Sequence, residues 1–182
     1  MDAVIQVIKG LRGLNAVLLG LCRYLIILIV AIISIILIAS VVFRYGLDNA
    51  LSWAEELSKY LMVWLTFLGA PVALRHFGHV SIDVLVKVLP ARLQQLLYLI
   101  ISVIICLTMA IVLWKGLGFA AQGARQVASS LNLSMVYLYI AVPIGSALTI
   151  LVALEQAMQS FVGIFRPDQG LVVTATEADG AL

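Results

Sequence analysis

YLIILIVAIISIILIASVVF, the stretch from Tyr24 to Phe43, runs twenty residues without a charge and is closed off by Arg23 and Arg44. A helix rises about 1.5 Å per residue, so twenty residues match the ~30 Å hydrocarbon core of a bilayer. In lipid the backbone must satisfy its own hydrogen bonds, which leaves a helix as the reading. This is the first span, about residues 24–44, and it sets the class: an all-α membrane protein.

The second span is less direct. Only fifteen uncharged residues separate Lys59 from Arg75. They would reach about 22 Å, too short to cross. The helix must start earlier, and Ser52-Trp53-Ala54-Glu55 reads as a capping box that places it at about 52–75. Glu55 and Lys59, four apart, are in the favoured order for an ion pair. Leu93 to Trp114 gives twenty-two uncharged residues and a third span at about 92–114, with Pro90 near its start. A fourth, about 134–155 and open to extension as far as Phe165, follows Asn132 and Ser134; Pro143 within it predicts a kink, which membrane helices tolerate. Gly116, Gly118 and Gly123 are expected to loosen the loop after span three. Gly69, Ala70 and Ala73 offer a close approach on span two, beside a bend at Pro71.

The rest of the composition agrees. Of 182 residues 64% are hydrophobic and 11% charged, against ~25% charged in a soluble domain. Mean hydropathy is +1.16. A soluble enzyme, a nucleic-acid-binding domain and a disulfide scaffold are excluded, and a net charge of +2 argues for no polyanionic partner. Membrane lipid is the expected surrounding. Cys22 and Cys106 sit in apolar runs and read as small hydrophobes. Leu21 before Cys22 is too large for a lipoprotein cleavage site, and no signal-cleavage site follows Lys9 and Arg12.

Before the first span, Val4, Val7, Ile8, Leu11, Leu14, Leu18 and Leu21 recur every three or four positions, opposite Asp2, Gln6, Lys9 and Gly13. Residues 1–22 are expected to form an amphipathic helix, either in the headgroup plane or as an extension of the first span. Residues 23–165 make the four-span domain. Ser81 can cap a short interfacial helix over 82–89, between spans two and three. Residues 166–182 read as a disordered cytoplasmic tail. Four spans put both termini on one side. That side carries seven basic residues (Lys9, Arg12, Arg23, Arg75, Lys87, Arg92 and Arg166) against four opposite (Arg44, Lys59, Lys115 and Arg125). The excess predicts cytoplasmic termini.

Transport chemistry usually shows itself as ionisable residues inside the hydrocarbon. Every charge here falls near a predicted helix end, Glu155 being the nearest to an exception. There is no Walker loop and no nucleophile with a base; neither catalysis nor a cofactor is expected. His76 and His79 could share a helix face but lack a third metal ligand. Two constellations remain. Arg44 is followed by Trp53, Glu55, Glu56, Tyr60 and Trp64, where Trp53, Leu57, Tyr60 and Trp64 make an aromatic stripe. Its acids could take a cation or a basic partner, or belong to a solvated interfacial belt. Arg75, His79, Asp83 and Lys87 stand four apart and could pair along one helix, unless Gly78 breaks it.

These residues in order (Val42-Phe43-Arg44-Tyr45, Trp53-Ala54-Glu55-Glu56-Leu57, Trp64-Leu65-Thr66-Phe67-Leu68-Gly69-Ala70 and Arg75-His76-Phe77-Gly78-His79-Val80-Ser81-Ile82-Asp83) resemble the small, Q-type membrane subunit of tripartite ATP-independent periplasmic (TRAP) transporters. The resemblance covers roughly residues 20–165. It implies a bacterial inner-membrane protein beside two partners: a large multi-span subunit that uses a sodium gradient to import an organic acid, and a periplasmic substrate-binding protein that delivers it. The small subunit would scaffold the large one, which carries the sodium and substrate sites. By similarity Arg44, Trp53, Glu55, Glu56 and Trp64 lie towards the periplasm, and Arg75, His79 and Asp83 at the cytoplasmic side, as helix-end or partner contacts. Two other readings stand beside it: an autonomous small transporter working through Glu155, and a membrane-anchored structural protein.

Overall fold

The computed structural model describes residues 2–76 and 91–165. The elements are α1 (Asp2–Gly46), α2 (Ser52–His76), α3 (Ala91–Gly123), α4 (Val136–Tyr139) and α5 (Ala141–Phe165). Four segments are long and apolar enough to cross a membrane: Gln6–Gly46, Ser52–Arg75, Leu93–Gly123 and Val136–Ile164. The all-α, four-span class holds. The interfacial helix expected over 82–89 and the tail 166–182 lie outside the described residues.

Residues 2–22 and the first span form one unbroken helix of 45 residues, about 67 Å long, so the N-terminal segment is continuous with the span. Its buried positions are Ile8, Asn15, Leu19, Cys22, Ile29, Ile33 and Ser40, with Leu11, Leu18, Ile26 and Ile36 half-buried between them. That alternation of three and four is the seven-residue repeat of helices packed at a shallow angle. Past the end of α1 the chain folds back on the helix: Asn49 N–H donates to the Phe43 carbonyl at 3.1 Å, with Asp48 at φ 49° in the left-handed region that aspartate tolerates better than most residues.

α5 is the hub of the bundle. α1, α2 and α3 all pack on it, α1 and α2 pack on each other, and α3 leans mainly on α5 and α4. A small apolar core of Cys22, Ile29, Ile33 and Leu68 joins α1 to α2, with Trp64, Leu65 and Leu148 against it.

Three glycines set the closeness of this packing. A Cβ on Gly145 would lie 2.6 Å from the Phe67 Cβ and would also strike the Phe67 carbonyl. That carbonyl lacks its in-helix donor because Pro71, four residues on, has no N–H. The close approach of α2 therefore uses Gly145 of α5, whereas Gly69 has open space where its Cβ would be. Gly116 and Gly118 do not loosen a loop: α3 runs through both to Gly123. A Cβ at Gly116 would lie 3.0 Å from Val142 Cγ1, and one at Gly123 3.1 Å from the Val136 nitrogen. Gly116 and Gly123 thus hold α3 against α4 and α5. The break expected at Pro143 falls three residues earlier, at Ile140, between α4 and α5. Proline at position 143 cannot donate to the Tyr139 carbonyl, so the first turn of α5 starts afresh there.

Candidate partner interface

The segment between α3 and α4 folds back as a tight hairpin. Val127 bridges Ser134, Ala128 N–H donates to Leu133 O at 2.8 Å and Met135 N–H to Gln126 O at 3.0 Å. Asn132 at φ 52° makes the turn, since asparagine tolerates the left-handed region. The hairpin closes over the start of α2. Glu56 accepts from the Ser130 backbone N–H at 2.7 Å and from the Tyr60 hydroxyl at 3.1 Å. Trp64 Nε1 donates to the Tyr137 carbonyl at 2.9 Å.

Beside it, Arg44 at the end of α1 pairs with Glu55 near the start of α2. Glu55 is thus engaged across helices by Arg44, where the sequence suggested a cap with Ser52 or a pair with Lys59. Both side chains stay about half-exposed, which limits the pair to a small contribution. Trp53 is exposed. The aromatic stripe is therefore divided: Tyr60 and Trp64 are tied to the hairpin and α4, while Trp53 faces outward.

At the opposite end Arg75, close to the end of α2, stands 3.8 Å from Glu155 of α5. Glu155 is 5% exposed and accepts from Asn15 Nδ2 at 2.6 Å and from Gln159 Nε2 at 3.2 Å. Asn15 Nδ2 also reaches the Leu151 carbonyl at 3.2 Å, and Gln156 Nε2 donates to the Leu74 carbonyl at 3.1 Å. Burying a carboxylate costs several kcal/mol unless it is paired and hydrogen-bonded; here a guanidinium and two amides share that task. The acid singled out as a possible transport residue is thus locked among three helices, level with the end of α2.

Arg44, Glu55, Glu56 and Trp64 gather at one end, and Arg75 stands at the other. His79 and Asp83 lie outside the described residues, and with them the four-apart stripe and the two-histidine idea. Among the described residues no three His, Cys, Asp or Glu side chains group as metal ligands. Sequence reading missed Asn15 and Gln156. The signal for Asn15 was present: it interrupts the stripe of Leu11, Leu18 and Cys22 at the spacing of a seam position.

Comparison with known proteins fits this architecture. A family model described as "Tripartite ATP-independent periplasmic transporters, DctQ component" matches residues 33–163. The chain is 32% identical over 143 residues to the C4-dicarboxylate TRAP transporter small permease protein DctQ of Pseudomonas aeruginosa, covering 75% of this chain and 65% of that one. It is 33% identical over 78 residues to the protein of the same name from Vibrio cholerae, covering 43% and 33%. It is 26% identical over 98 residues to the isethionate TRAP transporter permease protein DctMQ of Oleidesulfovibrio alaskensis, covering 53% of this chain and 15% of that one. The chain therefore spans less than two thirds of the length of each of these relatives. With a family match over most of the four-span region, the chain belongs to the DctQ component family of the tripartite ATP-independent periplasmic transporters.

Proposed function

We propose that this chain is the small permease subunit that scaffolds a large membrane subunit for sodium-driven uptake of an organic acid delivered by a periplasmic substrate-binding protein. Both termini lie in the cytoplasm, on the side with the basic excess. The Arg44–Glu55 end then faces the periplasm, and the Arg75–Glu155 end the cytoplasm.

The observation that carries this reading is the state of the described charges at the two ends. Glu55 is paired with Arg44, Glu56 holds the hairpin and Glu155 is held by Asn15 and Arg75. Such groups brace helices; a solute path needs groups free to exchange partners. Meanwhile α1 leaves Leu14, Val17, Leu21, Ile35, Ile38 and Val42 exposed along its length, a face open to lipid or to a neighbouring helix. The relative named DctMQ supports a permanent membrane partner, since the stretch similar to this chain is 15% of that permease protein. The relatives' names carry different solutes, C4-dicarboxylate and isethionate, in keeping with a solute chosen elsewhere than on this subunit.

The test is a pull-down of the tagged chain from its native membrane together with uptake in liposomes. The chain alone is expected to move no organic acid, and the chain with the captured large subunit to show sodium-driven uptake once the binding protein is added. Uptake by the purified chain alone, abolished by Glu155→Gln, defeats the reading in favour of an autonomous transporter. Glu55→Ala combined with Glu56→Ala is expected to reduce capture of the large subunit; capture at the parent yield removes those acids from the interface.

A further inference from the structure

We infer that Asn15, Glu155 and Arg75 form a polar latch that fixes the rotation and register of α1 on the bundle, and so determines which face of α1 the large subunit meets. The second half rests on the scaffold reading above; the first stands on this chain alone.

The argument starts from what cannot orient α1. Between helices in lipid there is no hydrophobic force, because lipid tails are as apolar as leucine. Within the span, residues 24–43, α1 is apolar almost all round. Ile29 and Ile33 are buried, while Ile27, Ile35 and Ile38 are exposed. Turning the helix about its axis would exchange one set of aliphatic side chains for another at little cost. The pair at its far end, Arg44 with Glu55, joins two long and half-exposed side chains and tolerates many rotations.

Asn15 breaks this degeneracy. It is 1% exposed and occupies a position of the packing stripe itself, between Leu11 and Cys22. Its amide reaches two acceptors on α5, one turn apart: the Leu151 carbonyl at 3.2 Å and Glu155 Oε2 at 2.6 Å. A two-point contact of this kind admits a single rotation and a single register. A lone buried asparagine in a heptad seam sets register in water-soluble coiled coils by the same logic. Glu155 transmits the setting: its other oxygen, Oε1, faces Arg75 of α2 at 3.8 Å and accepts from Gln159. Gln156, the next residue of α5, fixes the end of α2 through the Leu74 carbonyl. Three helices are thereby indexed to one carboxylate. Shifting α1 by one turn would leave the Asn15 amide and a buried carboxylate without each other, a penalty that apolar contacts cannot recover.

The experiment uses the full chain in nanodiscs, with Cys22→Ala and Cys106→Ala as background. Spin labels at the exposed positions Val17 of α1 and Phe161 of α5 report the latch; labels at the exposed positions Leu107 of α3 and Leu154 of α5 report the rest of the bundle. The parent is expected to give one narrow distance for each pair. Asn15→Leu is expected to broaden the α1–α5 distance, or add a second one, while the α3–α5 distance stays narrow. Glu155→Gln, whose amide oxygen still accepts from Asn15, is expected to broaden it less. Asn15→Ser, which removes the amide without adding bulk, serves where the leucine variant fails to insert. An α1–α5 distance in Asn15→Leu and Asn15→Ser as narrow as the parent's overturns the latch, and so does equal broadening of both pairs. Capture of the large subunit is read separately. Capture by Asn15→Leu at the parent level, with α1 displaced, overturns the second half. A parent that shows the latch but captures no large subunit counts against the scaffold reading and supports the latch as a property of the chain.

Discussion

Replacing Gly145 by alanine tests the packing at its tightest point. The added Cβ would meet the Phe67 carbonyl and lie 2.6 Å from the Phe67 Cβ. Neither atom is the free end of a flexible side chain; both move only if α2 moves. Two effects compete. Glycine in a helix interior is worse than alanine by roughly 0.5–1 kcal/mol, so the substitution gains that much from the backbone. An extra methyl in a close-packed contact costs about 1–3 kcal/mol. Because the clash is with backbone, the upper part of that range applies, and the net loss is about 1–2 kcal/mol. Gly118→Ala is the matched control: it lies in α3 with nothing within 4 Å of its added Cβ, so only the backbone gain of about 0.5–1 kcal/mol remains. The two variants should diverge by about 2 kcal/mol, roughly 30-fold in the folding equilibrium. SDS titration in mixed micelles, followed by tryptophan fluorescence, reads this directly. Trp64 packs beside the core that joins α1 to α2 and gives the signal. A Gly145→Ala variant as stable as Gly118→Ala would refute the close α2–α5 approach.

Smaller effects are expected elsewhere. Trp64→Phe keeps an aromatic ring but loses the indole N–H and with it the 2.9 Å hydrogen bond to the Tyr137 carbonyl; a loss of at least about 0.5–1.5 kcal/mol is expected in an SDS titration followed by far-UV circular dichroism. Glu56→Gln takes the charge from the acceptor of the Ser130 N–H, so hydrogen exchange at the Ser130 amide should accelerate while amides within α3 stay unchanged. Arg44→Ala breaks a pair whose side chains are 48% and 54% exposed; a stability change within about 0.5 kcal/mol is expected, shrinking further in high salt.

The four spans were legible because hydrocarbon thickness acts on sequence as a ruler: a charge-free run bounded by arginines can be measured. Helix ends beyond the hydrocarbon were less so. α1 begins at Asp2 and α3 continues to Gly123, because nothing at Cys22 or Trp114 obliges a helix to stop where the membrane does. The glycines were misassigned for a related reason. Gly116 and Gly123 are open backbone in a linear reading, but α4 and α5 fill the space above them. Of the site, Arg44 with Glu55 was recognisable as a charged end, yet which partner Glu55 takes depends on the turn after α1 that leads α2 back beside it. Glu155 was noticed as an acid near a span end. Its partner Asn15 is 140 residues away, and only the odd polar residue in an apolar seam hinted at it.

The separation of the two polar ends bears on what the bundle can do. Along α2, Glu55 and Arg75 are twenty residues apart, about 30 Å of helix and so one hydrocarbon thickness. Each is engaged by a different helix, Glu55 by α1 and Arg75 by α5. The polar pairs are therefore spaced as two membrane boundaries would be. Between those levels the described contacts are mostly apolar packing and glycine approaches, with the Trp64–Tyr137 bond towards the Glu55 end and hydroxyls that bond back to their own helix, such as Ser146 to Val142 and Thr149 to Gly145. A hydroxyl spent on its own backbone offers nothing to a passing ion. What this interior offers instead is stiffness: helices pinned at both boundaries and close-packed between them hold their faces in fixed relation. On the proposed scaffold role, this is what a rocking transport subunit would need from its neighbour, because a moving element works only against something that does not move with it.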